Sequence, residues 1–342
     1  QLQYSKTLAH TVVDQAVTAS RSLAHGKGMQ GLVNAILRNF IRQRENLLMR
    51  AAEKEVGCYS HPQWWIDKLR WQYPQNFRAI LEADNKRPPM TLRVNQRNIS
   101  VDDYRKRLLE QNMCAEWLWG GALQLAQPVM VEHLPGFNDG LVTVQDAGAQ
   151  LAAPFLDVRD GMRVLDACAA PGGKSTHLLE LADISLTILD NDSGRLAQVR
   201  QNLDRMHMTA ERLVCGDASN PDEWWDGQLF DRILADVPCS ASGVVCRHPD
   251  IKWLRRESDL SKFATSQQAI LNALWKILER GGKLLYVTCS IFAEENTMQI
   301  AEFLKHHPDA CSIPLSGTAM VDGQLLPDSR HDGFFYTLLH KV

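Results

Sequence analysis

The sequence predicts an α/β protein whose C-terminal two thirds form a doubly wound parallel sheet, preceded by a helical segment and a small α/β module. From residue 162 onward, short apolar runs alternate with longer amphipathic stretches, which is typical of strands joined by crossover helices. Before that point the pattern is mainly helical, with two strand-like runs. At 342 residues, the chain also exceeds the size at which one hydrophobic core usually stops growing, so several domains are expected.

Residues 1–55 are predicted to be the end of a helical domain. Apolar residues recur at helical spacing between Lys6 and Phe40, and residues 24–28 are predicted to form a loop between two helices. Two amphipathic helices alone make only a thin core. The chain begins with Gln1 rather than Met, so we expect that some N-terminal sequence is missing.

Residues 56–130 are predicted to form the small α/β module. A helical pattern begins at His61-Pro62 and stops at Pro88-Pro89. We expect the apolar residues of this helical pattern to pack in the core. They are Trp64, Trp65, Ile66, Leu69 and Trp71. Two strands, 91–95 and 123–129, and a helix over 101–111 complete the module.

Residues 131–342 are predicted to hold the parallel sheet. Its predicted strands are 163–166, 185–190, 212–215, 232–236, 283–288 and 334–339. The predicted helices are 174–181, 193–206, 259–278 and 294–304. In such sheets ligands bind at the carboxyl ends of the strands, where the strand order reverses. Four carboxylates stand at or just past such ends: Asp166, Asp190, Asp217 and Asp236. A single aspartate there is commonly a helix cap, so the repetition matters more than any one residue.

The charge of the chain is unevenly distributed. The formal net charge is −3, but residues 1–130 carry 18 Lys and Arg against 11 Asp and Glu, whereas the rest carries 19 against 29. A basic front joined to an acidic catalytic part suits a polyanionic substrate. The alternative, a solvated helical surface, stays open on charge alone.

The cysteines and the hydropathy pattern indicate an intracellular setting. Eight cysteines lack the regular spacing of a disulfide framework or of paired zinc knuckles, so reduced thiols are expected. Cys239, Cys246 and His248 do not match a common ligand spacing, and no metal is predicted. No run approaches the length of a membrane span, and no leader peptide opens the chain, so a cytoplasmic protein without membrane contact is expected.

The turn after the first predicted strand of the sheet, Asp166 to Thr176, is predicted to bind a small molecule. It lacks the glycine patterns of dinucleotide folds and P-loops, which disfavours a phosphate cradle. Pro171-Gly172-Gly173 still brings backbone N–H groups close to a ligand at a helix start. Asp190 suits a ribose diol and Asp217 an adenine amine. These are the needs of an adenosine cofactor without a pyrophosphate, such as S-adenosylmethionine.

Three segments carry a resemblance to a known family. LDACAAPGGKSTH, ADVPCSASGVVCRHPDIKWLRR and YVTCSIFAEEN closely resemble the RNA 5-methylcytosine methyltransferases of the Fmu/Sun family. The wider arrangement is similar to bacterial members that methylate a cytosine of 16S ribosomal RNA. Residues 31–38 look like the last helix of the antitermination-factor-like RNA-binding domain found at the front of those members. The resemblance implies a Rossmann-like S-adenosylmethionine-dependent methyltransferase sheet behind two RNA-binding modules.

The resemblance also implies a role for each residue of the site. Cys289 is the nucleophile that adds to carbon 6 of cytosine, and Cys239 assists release of the product. Asp236 hydrogen-bonds the protonated ring nitrogen 3 and stabilises the charge that develops on addition, and Lys174 orients the base or Asp236. The implied cofactor residues are Cys168, Ala169, Ala170, Pro171, Gly172, Gly173, Lys174, Asp190, Asp217 and Asp236. The implied substrate is small-subunit RNA, free or in an assembling subunit, and the chain is expected to act as a monomer.

Several alternatives remain at this point. Taken alone, a cysteine after a strand is more often core than catalytic. A DNA cytosine methyltransferase would use the Pro-Cys cysteine, Cys239, for the attack. A non-catalytic RNA-binding or ribosome-assembly protein could keep the same fold. Arg247, Lys252, Arg255 and Arg256 either form a surface loop or line the RNA-facing side, and Cys246 departs from the basic residue that relatives often carry.

Overall fold

The computed structural model describes residues 1–22, 28–315 and 320–342. The loop predicted at 24–28 therefore lies, apart from Gly28, outside the described residues. The chain separates into two compact units, Gln1–Ile66 and Asp67–Val342, and each is described by itself.

The first unit is helical. Its helices are α1 (Ala9–Ser20), α2 (Gln30–Arg42), α3 (Arg44–Ala52) and α4 (Glu55–Tyr59). The first two confirm the predicted pair, whereas α3, which carries three charged residues, and the short α4 were not predicted. Val12 and Val13 of α1 are buried, but Leu32 and Ile36 of α2 are 53% and 57% exposed. The apolar face of α2 is thus largely uncovered in the part of the chain that the structure describes.

The helical pattern after His61 is two helices rather than one. These are α5 (Gln63–Gln72) and α6 (Phe77–Asp84), separated around Pro74. Proline has no N–H to donate and clashes with the preceding turn, so the helix cannot continue through it. Leu69 is buried as predicted, but Trp71 is 81% exposed, and its predicted place in the core is wrong. Residues two apart on a helix face different sides, which separates Trp71 from Leu69.

A four-stranded antiparallel sheet follows. Its elements are β1 (Thr91–Val94), α7 (Val101–Glu110), β2 (Ala115–Trp117), β3 (Ala122–Leu125) and β4 (Val142–Val144), with strand order β2-β3-β1-β4. Tyr104 and Leu108 of α7 pack on the sheet in one apolar core. Strand β3 ends well before the predicted residue 129, ahead of Pro128, which lacks a ladder donor. Strand β4 lies beyond residue 130, the predicted end of the module.

Arg93 of β1 joins this small sheet to the next helix of the chain, α9 (Gly173–Leu181). Its guanidinium is fully buried, lies 2.6 Å from Glu180 Oε1, and also donates to the Gly173 carbonyl oxygen and the Thr176 hydroxyl. Charged groups are buried only when they are paired and hydrogen-bonded. The small sheet is therefore tied directly to the helix that follows the glycine turn.

The large sheet confirms the predicted α/β architecture. Its strands are β5 (Arg163–Ala167), β6 (Ser185–Asp190), β7 (Arg212–Cys215), β8 (Phe230–Asp236), β9 (Leu278–Thr288), β10 (Ala310–Ile313), β11 (Gln324–Leu325) and β12 (Phe334–Lys341). The order is β10-β12-β9-β8-β5-β6-β7, with β11 beside β12. Strands β5 to β9 run parallel, and β12 is antiparallel to β9.

Helices cover both faces of the large sheet. Besides α9 they are α8 (Ala152–Leu156), α10 (Ser193–Arg205), α11 (Ile251–Leu254), α12 (Asp259–Ile277) and α13 (Thr297–His306). Two apolar clusters result, one containing Leu178 and Val199 and the other containing Leu271 and Phe303. Among the described residues, no helix is long and apolar enough to cross a membrane.

The strand order sets the position of the site. The chain proceeds outward from β5 through β6 to β7 and then returns to β8 on the other side of β5. A crevice opens at the carboxyl ends of the strands where the order reverses in this way. Cys168, Asp236 and Cys289 end or directly follow β5, β8 and β9, so all three stand at this edge.

Candidate active site

The two thiols singled out in the sequence meet in the structure. Cys239 follows β8 and Cys289 follows β9, which are adjacent parallel strands with Asp236 opposite Val287. The sulfur atoms lie 3.3 Å apart. The hydrogen bond with Cys289, together with burial, raises the pKa of the Cys239 thiol well above its ordinary value. Cys239 is thereby kept in the thiol form beside its partner.

Lys174 and Asp236 form a second pair at the same edge. Lys174 Nζ lies 2.6 Å from Asp236 Oδ2, and it also lies over the Phe334 ring, 5.5 Å from the centroid. Burial lowers the pKa of the Lys174 ammonium, but the charge of Asp236 and the hydrogen bond to it more than offset this, so the pKa is raised overall. The lysine stays charged and holds the carboxylate in place.

The glycine turn is shaped by backbone conformations that few residues adopt. Cys168 has φ +62° and Gly172 has φ +92°. A Cβ on Gly172 would lie 3.0 Å from Cγ1 of Val199 on α10. The turn is fastened to the next strand, since the Ala170 N–H donates to Asp190 Oδ2 at 3.0 Å. Glycine is therefore required at position 172 both by conformation and by space.

A cavity of about 160 Å³ opens beside this turn. Among its lining residues are Cys168, Asp190, Asp217, Pro238 and Ile270. Asp190 is buried, and Asp217 Oδ1 accepts two hydrogen bonds from Ser219 at 2.8 Å each. Burial raises the pKa of the Cys168 thiol well above its ordinary value, so this cysteine lines the cavity as an unreactive thiol. Pro238 belongs to this wall and directly precedes Cys239, so the cavity adjoins the thiol pair.

Asp166, inside β5, contacts the start of the helix that follows the turn. Its Oδ2 accepts a hydrogen bond from the Ser175 hydroxyl at 2.6 Å, and burial raises the pKa of Asp166 to about 7. Oδ1 is buried without a hydrogen-bond partner among the described residues. A buried acceptor of this kind fits a ligand that brings a donor, such as an amino group.

The predicted site residues thus fall into three groups. The thiol pair and the Lys174–Asp236 pair stand at the ends of β8, β9 and α9. Cys168, Asp190 and Asp217 line the cavity. Ala169, Ala170, Pro171, Gly172 and Gly173 form the turn and are not among the lining residues of the cavity. In the described ranges, no cluster of His, Cys, Asp and Glu is suited to a metal ion.

Sequence reasoning missed a polar cluster behind the cysteines. Glu295 is fully buried and accepts hydrogen bonds from the hydroxyls of Ser240 and Ser290, at 2.6 and 2.5 Å. These serines directly follow Cys239 and Cys289. The repeated Cys-Ser pair was the available signal, but the carboxylate that joins the two copies could not be identified without the fold.

The basic residues predicted either to form a surface loop or to face RNA are largely used inside the protein. Arg247 pairs with Asp332 at 2.5 Å and with Asp146 at 3.0 Å. Lys252 is 4% exposed and donates to Asn85, and Arg255 donates to the Ser240 carbonyl oxygen. Burial excludes Lys252 from an RNA contact in this conformation, and Arg255 braces the Cys239 loop.

The fold and the site together define a class of enzyme, and comparison with known proteins refines it. The mainly parallel sheet, the glycine turn and the strand-end aspartates are those of an S-adenosylmethionine-dependent methyltransferase. The family described as 16S rRNA methyltransferase RsmB/F matches residues 153–340, and its ferredoxin-like domain matches residues 61–132. The chain belongs to this RsmB/F family.

Individual relatives agree with this assignment. The chain is 44% identical to ribosomal RNA small subunit methyltransferase B of Vibrio cholerae, over all of this chain and 79% of that protein. It is 46% identical to the protein of the same name from Pasteurella multocida, over 78% of that protein. A methyltransferase homolog from Pyrococcus horikoshii is 28% identical, with a TM-score of 0.74 over 84% of this chain and 97% of that one.

Replacing Gly172 by alanine is expected to destabilise the fold by about 2 kcal/mol and to weaken S-adenosylmethionine binding, because the new Cβ is strained at positive φ and meets Val199. Gly281→Ala is the matched control, since Gly281 has φ +81° but open space around it. The control should lose only about 1 kcal/mol and keep its affinity. Denaturant unfolding and titration calorimetry measure the two effects, and equal losses in both variants would contradict the clash.

Proposed function

We propose that this protein transfers a methyl group to carbon 5 of a cytosine in 16S ribosomal RNA through a covalent intermediate on Cys289. The observation that carries the proposal is the pair of sulfur atoms 3.3 Å apart, beside the Lys174–Asp236 pair. Ring methylation at carbon 5 needs one thiol to activate the base, and a second group near it to help the first one leave. The proposed function uses both cysteines.

The residues present fit S-adenosylmethionine. Asp190 would accept hydrogen bonds from the ribose, Asp217 would accept one from the adenine amine, and the turn from Cys168 to Gly173 would approach the rest of the molecule by its backbone. When bound, the cofactor supplies an electrophilic methyl group. Ile270, a buried residue of the cavity wall, would provide apolar surface for the cofactor.

Cys289 begins the proposed reaction. Its thiolate forms a bond to carbon 6 of the cytosine, and the electron pair of the 5,6 double bond makes carbon 5 nucleophilic. As the thiolate adds, ring nitrogen 3 takes a proton from water, and Asp236, held by Lys174 at 2.6 Å, would accept a hydrogen bond from that N–H and stabilise the protonated ring. Carbon 5 then takes the methyl group.

Cys239 serves the proposed release step. Water takes the proton from carbon 5, the 5,6 double bond re-forms, the bond between Cys289 and carbon 6 breaks, and ring nitrogen 3 returns its proton to water. The Cys239 thiol, 3.3 Å from the Cys289 sulfur, donates a hydrogen bond to the departing thiolate. A thiol with a raised pKa suits this role, because it keeps its proton at neutral pH.

The substrate part of the proposal rests on the family and on the front of the chain. The proteins from Vibrio cholerae and Pasteurella multocida are named as methyltransferases of small-subunit ribosomal RNA. We propose that residues 1–55 and 56–130 bind RNA through backbone and shape, and that residues 131–342 carry out catalysis on a base turned out of its stack.

The test is methyl transfer to 16S ribosomal RNA from cells that lack this modification. With S-adenosylmethionine carrying a radiolabelled methyl group, we expect the label to appear in 5-methylcytidine after digestion to nucleosides. A DNA duplex with many cytosines is the control substrate and should remain unlabelled. Label in another nucleoside would overturn the cytosine assignment, and absence of label would favour a non-catalytic binding protein.

A further inference from the structure

Glu295 lies behind the thiol pair and contacts both of the loops that carry it. Ser240, next to Cys239, donates its backbone N–H and its hydroxyl to the two carboxylate oxygens at 2.8 and 2.6 Å. Ser290, next to Cys289, donates its hydroxyl at 2.5 Å. One buried carboxylate thus bridges two segments that are about fifty residues apart in sequence.

The surroundings fix this carboxylate firmly. Gln267 of α12 donates to Oε1 at 3.1 Å and to the Pro238 carbonyl oxygen at 3.0 Å, which ties Glu295 to the start of the Cys239 loop. The Glu295 carbonyl oxygen accepts from the Tyr286 hydroxyl of β9. The four groups that donate to the carboxylate are neutral. They stabilise its charge without cancelling it, so its field reaches the neighbouring thiols.

We propose that Glu295 is a positioning residue: it holds the Cys239 and Cys289 loops in register, and its negative charge keeps Cys239 in the thiol form while Cys289 attacks. Loss of register would separate the sulfur atoms, and a small displacement of a reacting group is costly in rate. The unequal roles of the cysteines rest on the proposed function, whereas the effect of Glu295 on Cys239 does not.

The charge effect has a definite sign. The hydrogen bond with Cys289 and burial are the main causes that raise the pKa of Cys239, and the charge of Glu295 raises it further. Removing that charge should lower the pKa of Cys239. More thiolate then exists at any pH below the pKa, so the curve of alkylation rate against pH should move to lower pH.

The main experiment compares Cys289→Ala with Cys289→Ala/Glu295→Gln, which isolates Cys239. Iodoacetamide labelling of the Cys239 peptide is followed by mass spectrometry between pH 7 and pH 10. We expect about a tenfold faster alkylation at pH 8 in the double variant, the effect of roughly one pKa unit. In the otherwise native chain, Glu295→Gln should also lower methyl transfer by about a hundredfold.

Glu294→Gln is the matched control, since Glu294 is a neighbouring carboxylate that forms a partly buried pair with Lys68. It should change neither the alkylation curve nor methyl transfer. An unchanged curve in the Glu295→Gln variant, with activity lost only in proportion to thermal stability, would show a merely structural role and overturn the proposal.

If Glu295→Gln does not fold, Ser240→Ala/Ser290→Ala removes the hydroxyl donors and leaves the carboxylate in place. This variant should lose about tenfold in methyl transfer, and full activity would overturn the proposed register. A shifted alkylation curve in a protein that methylates no cytosine would refute the proposed function alone. The two proposals can therefore fail separately.

Discussion

Replacing Cys289 by alanine is expected to abolish both methyl transfer and the covalent RNA adduct. Without the thiolate, carbon 5 of cytosine is too weak a nucleophile to take the methyl group, and Cys239 is assigned to the release step rather than to attack on carbon 6. We expect the rate to fall by roughly 10⁴-fold or more, as for other covalent catalysts that lose their nucleophile. Incorporation of a radiolabelled methyl group into 16S ribosomal RNA measures the loss.

Cys311→Ala is the control for this substitution, because Cys311 is an exposed free cysteine on edge strand β10. It should retain full activity. Unfolding and S-adenosylmethionine binding should be unchanged in Cys289→Ala, which separates lost chemistry from a lost fold. Residual transfer above about a hundredth of the normal rate would show that another residue is the nucleophile.

Replacing Cys239 by alanine is expected to have the opposite effect on the adduct. Addition and methyl transfer should still proceed, but the bond between Cys289 and carbon 6 should break slowly because the hydrogen-bond donor beside it is gone. Up to one RNA fragment per protein molecule should accumulate, visible as a slower band on a denaturing gel and removed by ribonuclease. Turnover should fall by about a hundredfold or more.

The double variant Cys239→Ala/Cys289→Ala is the control, and it should form no adduct. If instead Cys289→Ala accumulates the adduct and Cys239→Ala does not, the roles are exchanged. The attack would then come from the Pro-Cys cysteine, as in the DNA cytosine methyltransferases considered from the sequence. The same gel therefore tests which thiol is the nucleophile.

Most of the large sheet could be predicted because its signals are local. Each of these strands contains a short apolar run and the longer helices have their own periodicity, so β5 to β9 and β12 were all predicted, with shifts mainly at their ends. Strands β10 and β11 were missed because they are short and stand at or near the edge of the sheet. The strand predicted to begin at residue 283 starts at Leu278, since the sequence Gly281-Gly282 resembles a turn.

The candidate site was predictable in part. Strand ends followed by Asp and Cys could be read from the sequence, and the strand order then brings the thiols together. Partners that arrive from distant elements could not be read in this way. Glu295 and the partners of Arg247 belong to this second class, because nothing near them in sequence reveals what they contact.

The buried contact between Arg93 and Glu180 couples the stability of the small sheet to ligand binding at the glycine turn. Arg93 belongs to the small sheet, and its other contacts reach Gly173 and Thr176 at the start of the helix behind the cofactor turn. A ligand that stabilises the turn also stabilises the small sheet. By the same coupling free energy, a substitution that destabilises the small sheet weakens binding of the ligand. Substitutions far from the cavity, on β1, will therefore appear as defects in cofactor affinity.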